Sequence, residues 1–191
     1  MKRLSARLGV GIATVYRYVS DRDELVRLAL ARRAYRPFTV EAGQHWADIV
    51  RGYAASLFSA ISQDSYMLTS YMDGGYGVAL EVELVERFLA ALAERGFEHD
   101  DAARLCRTIG HLVGGAAMAH IHHLALHAAG TDRARRLAAA ISDHDADELP
   151  HVRLSAGILA DEDAASAWQP GIELLIRGIA ARNGEAYPAT A

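Results

Sequence analysis

Apolar residues recur along most of this chain at intervals of three and four, the spacing that gathers them on one face of an α-helix. Leu4 and Leu8 stand one turn apart, and Ile12, Val15 and Val19 repeat at i, i+3 and i+7. Trp46, Ile49, Val50, Tyr53, Leu57 and Ile61 mark a helix from Gln44 to about Ser62. Leu80, Leu84, Phe88 and Leu92 mark another from Val78 to Glu94, closed by Gly96. Shorter periodic runs predict helices over 64–72, 132–142 and 151–159, and long ones over 100–129 and 162–182. In the last run Ile172, Leu175, Ile176 and Ile179 repeat at i, i+3, i+4 and i+7. No alternating Val/Ile/Thr run bounded by turns occurs. The pattern predicts an all-α protein.

Punctuation divides the pattern in two. Gly9 falls where a helix ends in the left-handed conformation, and the next helix starts at Gly11 or Ile12. Asp21 with Glu24, or Ser20 with Asp23, offers an N-cap for a helix that Pro37 stops. Residues 1–36 thus read as helix, tight turn, short helix, turn and a longer connecting helix. Such a layout is a helix-turn-helix head whose second helix is short enough to lie in a DNA major groove. Residues 37–43 form the boundary, and residues 44–182 a larger helical body. Residues 143–151 read as an acidic loop, and the tail after Asn183 as frayed.

Charge sharpens the division. Nine Lys/Arg and three acids fall in residues 1–36, leaving eleven Lys/Arg and twenty-one acids in the remainder of a chain of net charge −4. A basic head on an acidic body suits a head that approaches phosphate and a body that does not. Thr14, Tyr16, Arg17, Tyr18 and Arg22 carry the hydroxyl and cationic groups that hold phosphates and set register. The lone Cys106 cannot close an intrachain disulfide, as fits a reducing cytoplasm, the expected location. No apolar run is long enough to span a membrane and no leader pattern opens the residues as written.

The head resembles the DNA-binding segment of the TetR family of bacterial repressors. The resemblance rests on Leu8-Gly9-Val10, Ala13-Thr14-Val15-Tyr16-Arg17-Tyr18 and Asp21-Arg22-Asp23-Glu24-Leu25. It departs at Gly11, where the family usually has serine, and at Val19, where it has phenylalanine. By the family's pattern the matched tyrosine and the basic residue after the cap contact the DNA backbone. The base-touching role then passes by position to Gly11, Ile12 and Ala13. None of these three can make a bidentate hydrogen bond to a base, leaving apolar contact with a thymine methyl. The resemblance also implies a complete helix ahead of the one that starts here. The head is therefore expected to be incomplete at its start, with the natural protein beginning roughly 20–30 residues earlier. Trp168 to Ile179, with Gly171 and Gly178, resembles the closing helix of repressors close to the tetracycline repressor.

The body offers three further features. His120, His123 and His127 share one face of the long predicted helix, while His111 and His122 share the opposite one. The pair His123/His127 has zinc-ligand spacing but no Glu or Cys neighbour to complete a site, so packing or pocket roles are expected and no metal. Gly110, Gly114, Ala117, Ile121 and Ala128 form a stripe that lets another helix approach closely. Intramolecular packing would use such a stripe too. The expected subunit interface joins Gly110, Gly114, Ala117 and Ile121 to Ile172, Leu175, Ile176 and Ile179, in the manner of the family's four-helix dimer contact. Tyr66, Met67 and His111 are the expected pocket residues among the aromatic and thioether groups of the body.

No phosphate-cradling glycine loop, nucleophile elbow or Cys/His constellation stands out, and neither an enzyme nor a cofactor is expected. The resemblance implies a homodimeric repressor that binds a palindromic double-stranded operator and leaves it when a small-molecule inducer enters the body. The alternatives are a ligand-binding helical dimer with a non-functional head and, in another class, a histidine-dependent metalloenzyme.

Overall fold

The computed structural model describes residues 1–21, 25, 38–63, 65–72, 77–128, 133–145, 147–160 and 165–187; the side chains of 65–67, 70, 77–81, 127 and 133 are outside that description. Its described residues form helices without strands. In chain order these are α1 (Lys2–Leu8), α2 (Ile12–Tyr16), α3 (Trp46–Ile61), α4 (Ser65–Met72), α5 (Gly77–Ala93), α6 (His99–Ala128), α7 (Arg133–Ser142), α8 (Pro150–Ala160) and α9 (Gln169–Asn183). The all-α fold follows the apolar spacing. The connecting helix expected before Pro37 lies outside the described residues, apart from helical Leu25.

The body is built around α3. Its Ile49, Val50 and Ala54 are fully buried, and the helix packs on α4, α5, α6 and α9. Tyr53 stacks on Phe88 of α5 at 4.2 Å between ring centroids, and Phe38 meets Tyr53 edge-on at 5.8 Å. Offset aromatic pairs of this kind add about 0.5–1.5 kcal/mol to the burial itself. The inner face of α6 supplies Ile109, Val113 and Ala117, and α9 supplies Ile172 and Ile176, all almost wholly buried. Each large aliphatic side chain taken from water contributes about 1.5–3 kcal/mol.

The last helix begins later than its apolar pattern suggested. Expected from residue 162, α9 starts at Gln169 with Pro170 in its first turn. A proline lacks the N–H that an inner turn requires but suits the first turn, where no partner exists for that group. Trp168 caps the helix, stacks on Phe58 at 5.7 Å and donates its indole N–H to the Ala165 carbonyl at 2.9 Å. Residues 184–187, expected to fray, are held by contacts. Gly184 ends α9 in the left-handed conformation at φ 68°, Glu185 accepts a 2.9 Å hydrogen bond from the Trp46 indole, and the Tyr187 hydroxyl donates to Glu173. These long-range partners, 139 positions apart for Trp46 and Glu185, are invisible to a local pattern.

Candidate functional site

The head is shaped by one glycine. Gly9 adopts φ 66°, and the turn closes as the N–H groups of Gly9 and Val10 donate to the carbonyls of Ala6 and Ser5. A side chain would strain that conformation. The turn sends α2 across α1 with Val15 buried and Val19 buried after it. Gly11, Ile12, Ala13, Tyr16, Arg17 and Tyr18 are exposed, and Thr14 is half-buried. Tyr18 is 73% exposed, and the Arg17 guanidinium lies 5.6 Å from its ring centre. Arg22 falls outside the described residues.

Ile12 departs from the expected buried stripe. The helix α2 stops at Tyr16, so Val19 reaches the interior from the following turn, and Ile12 in the first turn stays 39% exposed. Exposure is what a base-touching residue needs. The sequence reading passed over Lys2, Arg3 and Arg7 as contacts. They stand exposed on α1, with no salt bridge among the described residues, and Arg3 and Arg7 flank a shallow depression one helical turn apart. Their i, i+4 spacing was the available signal.

In the body a cavity of about 410 Å³ lies where α4 and α5 meet α6. Tyr71 and Met72 of α4, Val85 and Leu89 of α5, and Tyr53 of α3 give it apolar and aromatic walls. The α6 side is Ala103, Cys106, Arg107, Gly110 and His111. Cys106 is buried and its Sγ lies 3.2 Å from the Tyr53 hydroxyl. Gly110 shapes the wall: a Cβ placed there would stand 2.9 Å from the Tyr71 hydroxyl oxygen. His111, one of the three residues proposed for a pocket, is among those that line this cavity. The side chains of Tyr66 and Met67 lie outside the described residues; Tyr71 and Met72, one turn later on α4, occupy the wall.

The expected interface stripe turns inward. Gly110 and Gly114 face Tyr71 of their own chain, Gly114 also approaching Met72. Ala117, Ile172 and Ile176 are almost wholly buried, and Ile121, Leu175 and Ile179 are half-buried against the same core. Small and apolar residues serve intramolecular and intermolecular packing alike, and here residues of the same chain meet much of this face. Gly171 does bring α9 close to α6, where an added Cβ would lie 2.8 Å from a methyl of Leu112. The outward faces of the two helices carry other residues: Gly115, Met118 (50% exposed) and His122 on α6, Leu174 (67% exposed) and Gly178 on α9.

His120 meets the edge of Phe58 at 5.8 Å, His122 is exposed, and the His127 side chain is not among those described. Among the described residues no three His, Cys, Asp or Glu side chains gather in a metal-binding group. No described helix is long and apolar enough to cross a membrane.

Electrostatics in the body concentrate at the α3–α9 contact. Arg51 binds Glu173 through two hydrogen bonds, and this pairing, helped by the Tyr187 hydroxyl, holds the Glu173 carboxyl down at about 2 against the opposing cost of burial. At the head end of the body, Arg95 donates to the carbonyls of Gln44 at 2.9 Å, Ala91 at 2.8 Å and Glu41 at 3.4 Å. It ties the boundary segment to the end of α5, the helix whose Val85 and Leu89 line the cavity.

Comparison with known proteins matches this arrangement. The family described as "Tetracyclin repressor-like, C-terminal domain" matches residues 39–183. Among solved structures, a possible TetR family transcriptional regulator from Streptomyces coelicolor A3(2) superposes with a TM-score of 0.67 at 18% identity, over 95% of this chain and 88% of that one. The Streptomyces coelicolor TetR family protein ActR, in complex with actinorhodin, gives a TM-score of 0.65 at 25% identity, over 97% and 88%. No curated protein gives a significant match. Regulators of this kind are ligand-responsive transcription factors rather than enzymes. With the match running through nearly the whole helical body, the chain belongs to the TetR family of transcription regulators.

Proposed function

We propose that this chain is a ligand-controlled DNA-binding repressor acting as a homodimer on a nearly palindromic operator. The observation that carries the reading is the division of the head. Val15 and Val19 are buried, while Gly11, Ile12, Ala13, Tyr16, Arg17 and Tyr18 face outward, and the exposed cations of α1 have no salt bridge among the described residues. In this reading Ile12 and Ala13 meet base edges. Thr14, Tyr16, Arg17, Tyr18 and Arg22 hold phosphates, joined by Lys2, Arg3 and Arg7. Two heads about one DNA turn apart would read two half-sites.

Leu174 and Met118, with the side-chain-free Gly115 and Gly178, form the outward face on which a second copy would seat. The glycines admit close helix approach and the two large side chains supply apolar area. The inducer site is the cavity between α4, α5 and α6. That an actinorhodin-bound protein shares the fold supports a ligand role for the body. A ligand there presses on α5, and Arg95 hands the displacement to residues 41–44 and so toward the head. Such a ligand acts only by favouring the non-binding arrangement over the binding one.

The test is selection of DNA from a random pool with the purified protein, followed by titration of the recovered sequence at several salt concentrations. Recovery of a nearly palindromic site, bound more weakly as salt rises, is expected. Recovery of no enriched sequence would remove the repressor reading and leave a ligand-binding dimer.

A further inference from the structure

We infer that the cavity between α4, α5 and α6 takes a small amphipathic acid, its apolar ring-bearing body between the helices and its anionic group on Arg107 and His111. The inference rests on the reading of that cavity as the inducer site. Three observations lead to it.

First, among the described residues that line the cavity, Arg107 is the sole charged side chain apart from the titratable His111, and none of them is a carboxylate. Second, neither Arg107 nor His111 has a hydrogen-bond or ion-pair partner among the described residues, although the body as a whole carries a surplus of acids. Other arginines of the body behave differently. Arg51 is paired with Asp48 and Glu173, Arg104 with Asp100 and Asp101, and Arg182 with Asp101. Third, Arg107 and His111 stand one turn apart on α6, about 6 Å along the axis, with Gly110 between them. The bare Gly110 backbone lets the Tyr71 hydroxyl approach that same edge. A planar guanidinium fork and an imidazole N–H at this spacing can share one carboxylate or sulfonate, and Arg presents the geometry that such groups fit. Opposite them, Tyr53, Tyr71 and Leu89 offer the surfaces an aromatic body stacks on or packs against.

Matched fluorescent probes test this. Anilinonaphthalene sulfonate is aromatic and anionic; N-phenylnaphthylamine has a similar ring frame without the charge. Both are titrated into the full chain and into Arg107→Gln, Arg104→Gln and Ala103→Trp, each first checked for an unchanged helical circular dichroism spectrum. The anionic probe should bind the unaltered protein at least tenfold more tightly than the neutral one. Arg107→Gln should lose roughly tenfold for the anionic probe and little for the neutral one, the size of one charged hydrogen bond. Arg104→Gln removes the same charge from the same helix outside the cavity and should change neither. Ala103→Trp, which fills the cavity, should weaken both. If Ala103→Trp weakens both probes but Arg107→Gln affects neither, the cavity stands and its preference for acids is overturned. If Ala103→Trp leaves both untouched, the cavity is not the binding site and the inducer reading fails with it. Equal losses for Arg104→Gln and Arg107→Gln would mean general surface attraction and would also overturn the proposal.

Discussion

Arg51 and Glu173 face each other as fork to fork: Nε donates to Oε1 at 2.8 Å and Nη2 to Oε2 at 2.9 Å. The pair is 122 positions apart in the chain and joins the central helix to the last one. Asp48 takes a third donor of Arg51 at 2.8 Å, and the Tyr187 hydroxyl donates to Glu173 from the tail. The Arg51 side chain is 15% exposed and the Glu173 side chain 28%. Such half-sheltered bidentate pairs hold more than surface ones do.

A pH dependence follows. The folded state holds Glu173 at about 2, below its ordinary value near 4.5, chiefly through the Arg51 hydrogen bond. The resulting stability is fully present above about pH 4.5 and is lost as pH falls toward 2. Allowing for the partial exposure, the pair should contribute on the order of 1–2 kcal/mol at neutral pH. Urea melts of the unaltered protein and Glu173→Gln should differ by that amount at pH 7 and converge near pH 2. A gap that persists undiminished in acid would assign the effect to packing.

On DNA, Arg17→Ala should weaken binding to the selected site and lower the slope of log K against log salt by about one, the signature of one lost phosphate contact. Arg7→Ala should do the same if α1 also grips the backbone. Binding of an inducer should be unaffected by either. Unchanged affinity and slope for both would remove the assigned face of the head.

Assembly distinguishes the two faces of α6 and α9. Leu174→Glu places a charge on the outward apolar face and should shift a dimer to monomer in sedimentation. Gly114→Leu acts elsewhere, against Tyr71 and Met72 of its own chain. It should leave the sedimentation coefficient alone while lowering stability and probe binding, because overpacking commonly costs about 1–3 kcal/mol. A monomeric Gly114→Leu beside a dimeric Leu174→Glu would restore the inward stripe as the contact.

The link between body and head can be probed through Arg95. Its side chain is 16% exposed and its guanidinium donates to three backbone carbonyls, that of Glu41 in the boundary segment, that of Gln44 just after it and that of Ala91 in α5. Arg95→Ala should destabilise the protein by about 1–3 kcal/mol and raise amide hydrogen exchange over residues 38–44. Exchange unchanged there would mean that the segment is held by Phe38 and its ring contacts instead.

Much of this was legible in the residues themselves. The period of the apolar positions is a property of the chain and specifies helices wherever they pack. The glycine at position 9 announces a left-handed turn because other residues avoid that conformation. The basic head and acidic body are likewise counted directly. Even the candidate contacts of α2 could be named, since a short helix with Val15 and Val19 inward leaves few side chains to face outward.

What a helix face meets was decided by the tertiary structure. Gly110, Gly114 and Ala117 read as a contact stripe in sequence, yet whether the contact is another chain or Tyr71 depends on where α4 lands. Tyr71 and Met72 line the cavity because α4 crosses α6 at Gly110 and Gly114, and no periodicity in either helix encodes that crossing. The tail illustrates the same limit. Residues 184–187 look dispensable locally, but Trp46 and Glu173 hold Glu185 and Tyr187 in place. Helix formation is driven by spacing along the chain, which sequence records. Pairing of faces is driven by the burial of surfaces brought together from distant positions, which the fold alone supplies.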